Sequence, residues 1–344
     1  MLGEGHDRRA VARELRMTYR TVQRLTDAAT PETSPGTSAP SGGCSPGLTL
    51  PWSSGVVEAH APARANTARF VTLDNWIPRI LTTMTSTIPP EPKRAALMVA
   101  GRRLSFLDFG GSGSPLLALH GHFADGRTFA RLAGELGDSW RIIALDQRGH
   151  GLSDSSPDFS RTGYVEDAAA ALEHLGIRGA VVLGHSLGGV NAYQLAAWFP
   201  GLVDALIVED IGAEVDGNLS FSLSWPHRAP TRTALLEGLG ASAAYLVDAV
   251  REYPDGWGLA FDPKDMNASQ QHLNGDYWDD WLASDCPALL LRGSRSSVLS
   301  AEHAKDMSAR RPHTRLIELP AGHTIHETVP VEFAAAVSGF LGSL

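Results

Sequence analysis

The chain has 344 residues, 43% of them hydrophobic, and a formal net charge of -9. That length allows one large domain with extras or two domains, and the charge argues against nucleic acid as a partner of the whole chain. The sequence has no membrane-length apolar run, no secretory signal in Met1 to Ala12, and only Cys44 and Cys286 as cysteines, which gives neither metal-ligand spacing nor a disulfide framework, so a cytoplasmic protein is expected.

The charge is uneven along the chain. Residues 1–26 hold six arginines against Glu4, Asp7 and Glu14, a net of +3, which leaves -12 for the remainder. Within that segment, residues 6–25 resemble a helix-turn-helix of the transposase or resolvase type, with Ala10, Val11, Leu15 and Val22 as apolar positions and Thr21-Val22 opening a recognition helix. Arg16 stands where such motifs carry glycine, and two short helices cannot bury a core alone, so a disordered basic tail is the alternative. Residues 30–55 are Pro, Gly, Ser or Thr at 20 of 26 positions, a composition that cannot repay the entropy of ordering. Segment 27–94 is therefore read as a low-complexity linker. Met84-Thr85-Ser86-Thr87-Ile88-Pro89-Pro90 looks like a native start, which predicts that residues 84–344 suffice for folding and activity.

From residue 95 the texture changes. Strands are expected at 96–100, 103–109, 115–119, 141–145, 181–183, 206–208, 288–291 and 314–319, and helices at 125–136, 163–175, 188–199, 301–310 and 328–341. Apolar runs alternating with amphipathic helices predict an α/β protein with a mostly parallel, doubly covered sheet. Segments 95–211 and 285–344 form its core, and function belongs at the C-terminal strand ends. Residues 212–284 interrupt the alternation and are rich in aromatics, including Phe221, Trp225, Tyr245, Trp257, Phe261, Tyr277, Trp278 and Trp281. They are expected to form a helical cap whose aromatics mostly fill its own core, with some left as an apolar wall for substrate.

The stretch Gly184-His185-Ser186-Leu187-Gly188-Gly189 lies between the strand at 181–183 and the helix at 188–199. A serine on a sharp strand-to-helix turn needs nearly side-chain-free neighbours, and the turn pushes its hydroxyl above the sheet. The following helix start aims backbone N–H groups at developing negative charge. In this context Gly-x-Ser-x-Gly is the nucleophile elbow.

Four motifs in order carry a resemblance to the α/β-hydrolase fold family over about residues 96–344. They are His120-Gly121 after the third strand, Asp146-Gln147-Arg148-Gly149-His150-Gly151-Leu152-Ser153-Asp154 after the fourth, the elbow, and Gly322-His323 near the C-terminus. The resemblance implies Ser186 as nucleophile and His323 as its base, with His326 helping to hold that loop. His120, His150 and His185 belong to family motifs with packing or loop-shaping roles. The family's usual acid, after the seventh strand, falls on Ser296, which cannot charge-stabilise an imidazolium. A subset of family esterases and dehalogenases takes the acid from the end of the sixth strand, and the chain resembles the esterase subset. Asp210 is then the expected acid, followed by Glu209, with Glu302 or Asp306 behind; otherwise Asp210 caps a turn and leaves a Ser–His dyad. The oxyanion hole is expected from the backbone N–H groups of Leu187 and His122, with Phe123 as neighbour, so that changing the His122 side chain should cost little unless it also touches substrate. Arg127 and Arg228 are candidate partners for a substrate carboxylate, although surface arginines are common.

These residues predict a serine hydrolase of an ester or thioester with a small to medium, largely apolar acyl or alcohol group, extending to lactone or amide, with no metal and no cofactor implied. Haloalkane dehalogenases and epoxide hydrolases need a carboxylate at the elbow, which Ser186 is not. The alternatives on the same scaffold are a C–C bond hydrolase, a perhydrolase or an acyltransferase. Outside enzymes they are a ligand-binding protein and a DNA-binding fusion through residues 6–25. Neither a membrane partner nor an oligomeric state is indicated.

Overall fold

A computed structural model describes residues 91–344. The helix-turn-helix-like segment 6–25, the stretch 30–55, Cys44 and the start expected at Met84 lie outside the described residues.

The main sheet takes its strands in chain order as β1 (Lys93–Val99), β2 (Arg102–Asp108), β3 (Ser114–Leu119), β4 (Trp140–Leu145), β5 (Ala180–His185), β6 (Val203–Glu209), then β12 (Ala288–Gly293) and β13 (Thr314–Leu319); β7 to β11 belong to an insertion between β6 and β12. In space the order is β1-β2-β4-β3-β5-β6-β12-β13. β2 is antiparallel to both of its neighbours, and all pairs from β4 to β13 are parallel. Parallel strands covered on both faces must be apolar on both faces, and every residue of β5 and β12 is buried.

Alternate side chains serve opposite layers. Leu117, Leu119 and Val182 pack with Tyr164, Val165 and Ala168 of α2 (Arg161–His174) and with Val190 and Tyr193 of α3 (Leu187–Trp198). Leu116, Ala118, Val181 and Leu183 pack with Leu132 and Leu136 of α1 (Ala130–Leu136) and with Phe333 and Val337 of α10 (Pro330–Leu341). The chain thus forms the expected α/β fold, with small differences. The core begins at Lys93 rather than at 95, because β1 pairs along its whole length with β2. The helix expected over 125–136 opens as a 3-10 turn, Gly126–Phe129, with the Asp125 carboxylate accepting from Arg127 N. The last helix divides into α9 (Ile325–Thr328) and α10, because Pro330 has no N–H to continue α9.

The insertion is not purely helical. Its helices are α4 (Arg232–Leu239), α5 (Ala243–Leu246), α6 (Pro263–Leu273) and α7 (Trp278–Leu282). Among them sit β7 (Glu214–Val215), β8 (Arg228–Ala229), β9 (Val250–Tyr253), β10 (Gly256–Leu259) and β11 (Gly275–Asp276), which form a three-stranded antiparallel sheet and a two-stranded ribbon. Its own core gathers Leu235, Leu239, Leu246, Val250, Phe261 and Met266 around Phe123, a residue of the loop after β3. α8 (Ala301–Arg310) then covers the sheet edge, started by the Ser300 hydroxyl, which accepts from His303 N at 3.1 Å.

Candidate active site

The turn at Ser186 is strained as its glycine neighbours require. Ser186 has φ 51° and ψ -117°, a conformation that L side chains rarely adopt. A Cβ at Gly184 would run into the carbonyl of Gly188, and one at Gly188 would run into the carbonyl of Leu119. Ser186 N donates to Glu209 O at 3.0 Å, so the turn is tied to the end of β6. The residue after Glu209, Asp210, also has positive φ, 52°. Two adjacent strand ends therefore break their ladders in the same manner, and each lifts a functional-group side chain off the sheet.

Asp210 is fully buried, and three donors surround its carboxylate. Gly293 N reaches Oδ1 at 2.8 Å, His323 Nδ1 reaches Oδ2 at 2.8 Å, and the Ser296 hydroxyl donates to Oδ2. A carboxylate only accepts, so His323 carries its proton on Nδ1, which turns Nε2 to the opposite edge of the ring. Ser296, which stands where an acid was looked for, instead supports one. Residues 86 apart in sequence, past the ends of β6 and β12, make this contact, and no local pattern announces it.

Glu209 engages a different histidine. Its Oε1 accepts from Ile325 N at 2.7 Å and His326 N at 3.0 Å, and His326 Nδ1 donates to it at 2.9 Å. On the far side, His326 Nε2 meets Thr128 Oγ1 at 2.7 Å. Burial disfavours charge on His326, but the Glu209 carboxylate beside it outweighs that and holds its pKa above the usual value. Glu209 likewise resists burial through His326 and titrates below the ordinary range. Glu302 and Asp306 sit at exposed positions of α8.

The remaining histidines of the motifs are buried and held neutral. His185 packs between His323 and His326, with ring centroids 4.7 Å and 5.0 Å away, and its Nε2 donates to His323 O at 3.1 Å. Burial lowers its pKa to about 3. His120 receives Gln147 N on Nε2 at 3.0 Å and donates from Nδ1 to Gly121 O.

Leu187 is buried at the first position of α3. His122 lies in the loop after β3, and its side chain is not idle. Its Nε2 meets Ser269 Oγ on α6 at 2.8 Å, and that hydroxyl meets Tyr164 OH at 2.8 Å. Burial depresses the His122 imidazole to about 3. Removing the His122 ring would strip partners from a buried polar chain, which argues against a cheap substitution there.

Beside this loop a cavity of about 360 Å³ opens between core and insertion, lined by Phe123, Thr128, Tyr245, Val250, Arg251 and Glu327 among others. Arg127 and Arg251 both bind the buried Asp125, and Arg228 lies over the Tyr253 ring at 3.8 Å. Both arginines suggested for a substrate carboxylate are thus engaged within the protein. His185, Glu209 and His326 together offer a metal-capable donor set, but Glu209 and His326 already spend their donors and acceptors on each other, on α9 and on Thr128.

A profile of the alpha/beta hydrolase family matches residues 116–336. The chain belongs to the α/β-hydrolase family. The hydrolase is 28% identical over 252 residues to 2-(acetamidomethylene)succinate hydrolase of Mesorhizobium japonicum, across 67% of this chain and 89% of the relative. It is 27% identical over 241 residues to esterase YbfF of Escherichia coli, across 66% and 93%. Among solved structures, that of E-2-(acetamidomethylene)succinate hydrolase superposes with a TM-score of 0.66 at 24% identity, covering 73% of this chain and all of the other. The relatives are hydrolases, and the family is one of enzymes. No helix of the described residues is long and apolar enough to cross a membrane.

Proposed function

We propose that this hydrolase cleaves a carboxylic ester or thioester through an acyl-enzyme on Ser186. The observation that carries the reading is the 2.8 Å hydrogen bond from His323 to the buried Asp210, one strand away from a strained serine. His323 Nε2 takes the Ser186 proton as Oγ attacks the substrate carbonyl carbon. The backbone N–H groups of Leu187 and His122 receive the resulting oxyanion. Collapse of the tetrahedral intermediate returns the proton to the departing alcohol or thiol, and water, deprotonated by the same nitrogen, releases the acid. Asp210 holds the tautomer that leaves Nε2 free to act and stabilises the imidazolium. Ser296 and Gly293 N hold the Asp210 carboxylate in place against His323.

The aromatics of the insertion favour a small to medium, largely apolar substrate group; the cavity beside Phe123 has Asp125, Arg127, Asp248, Arg251 and Glu327 in its wall besides Tyr245 and Val250, and does not by itself select for an apolar one. The relatives' substrates, a substituted succinate and the diacylglycerols of the mouse lipase ABHD11, which is 26% identical over 251 residues, bracket that class from the polar and apolar sides. Labelling by a fluorophosphonate, abolished in Ser186→Ala, tests the nucleophile. Turnover of a graded ester panel tests the substrate class. Asp210→Asn should lower kcat by about 10⁴ by selecting the wrong tautomer; a near-wild-type rate there would defeat the acid assignment.

A further inference from the structure

Glu209 and His326 form a buried carboxylate–imidazole pair parallel to Asp210 and His323, and the proposed chemistry does not use it. Its contacts touch every segment that carries a proposed catalytic group. Glu209 is the residue before Asp210, and its carbonyl accepts from Ser186 N. Its carboxylate holds the backbone of Ile325 and His326, two and three residues past His323. His326 bonds Thr128, in the turn that follows the His122 loop. The ring of His185, the residue before Ser186, is wedged between His323 and His326.

We propose that Glu209 and His326 are positioning residues that set where His323 Nε2 stands relative to Ser186. The inference rests on the serine-hydrolase reading above. Without the Glu209 carboxylate, two backbone N–H groups next to His323 lose their acceptor inside the protein, and the loop must shift to find another. The His323 carbonyl and the His185 ring move with it. Displacing a reacting group by about 1 Å can cost about a hundredfold in rate.

Chemistry separates positioning from mere packing. Gln at 209 keeps an acceptor for both backbone N–H groups and gives a donor to a neutral His326, so the contacts survive while the charge is lost. Leu at 209 keeps the volume and loses every contact. Three measurements on the full chain test this: kcat and KM for a p-nitrophenyl ester, the rate and extent of fluorophosphonate labelling, and Tm. Glu209→Leu is expected to label to full extent but slowly, with kcat down about tenfold to a hundredfold and KM within about twofold. Glu209→Gln should recover kcat to within about threefold of wild type. Wild-type kcat in Glu209→Leu, or a Gln variant as impaired as the Leu variant, overturns the proposal. Should Glu209→Leu not fold, His326→Gln leaves Glu209 its backbone donors at 325 and 326 and should lower kcat about threefold with KM within about twofold; an unchanged kcat there overturns it as well. Labelling that persists in Ser186→Ala instead sinks the serine reading itself, and this inference with it.

Discussion

At the scale of single residues, the site is governed by where protons are allowed to sit. His120, His122, His150 and His185 are all driven below the usual imidazole range by burial, while His326, alone among the buried histidines of the described residues, is held above it by a carboxylate. This has a consequence for stability against pH. A histidine whose folded pKa exceeds its reference of 6.5 stabilises the fold fully below that reference and loses the contribution as pH rises through the folded value. Glu209, held below its reference of 4.5, contributes above that value and loses the contribution as pH falls through its lowered one. The difference in Tm between wild type and His326→Gln should therefore be greatest between the two reference values and shrink above neutrality. A thermal-unfolding series from acidic to alkaline buffer checks this; a difference that grows with pH would contradict it. The sequence carried some of this residue-scale pattern. Glycines around Ser186 and the run ending in Gly322-His323 are local signals. The partners of Asp210 and Glu209 are not, because Ser296, in the loop after β12, and His326, on α9, arrive from 86 and 117 residues away.

At the scale of elements, the legible parts were those with one dominant physical cause. β3, β4, β5, β6 and β12 read as strands because burial on both faces leaves nothing polar in them beyond their ends. The insertion's strands are two to four residues long, too short for a period to show, and their pairing comes from tertiary contacts. Trp281 shows how its aromatics divide: it is fully buried and donates to Met307 O on α8 at 3.0 Å, whereas Phe221 stays exposed against Phe123. The insertion is also clasped to the core by charge. Arg251 of β9 binds the buried Asp125 beside the 3-10 turn, and Arg127 reaches back to Asp248 O at 2.8 Å. Arg251→Ala leaves Asp125 with Arg127 as its remaining arginine and should cost about 1–3 kcal/mol. Urea denaturation measures the cost, and limited proteolysis should cut within residues 212–284 faster in the variant.

At the scale of the whole molecule, the described residues carry three apolar clusters, on both faces of the sheet and inside the insertion, around the proposed site. The fragment 84–344 should accordingly fold and turn over esters at the rate of the full chain. A far-ultraviolet spectrum and kcat for the fragment decide it, and an inactive or unfolded fragment would give the first 83 residues a role. The insertion itself starts and ends at neighbouring strands: β6 and β12 lie side by side, with Leu206 opposite Ala288. Its two ends are thereby pinned by the same ladder, whatever the length of chain between them. For an engineer that makes the segment an exchangeable cassette. A donor segment spliced between Ile211 and Pro287 would inherit a pre-spaced pair of anchors and leave Asp210 on the host side of the junction. Specificity could then be bred by grafting and recombination, while the reacting groups stay on the invariant frame.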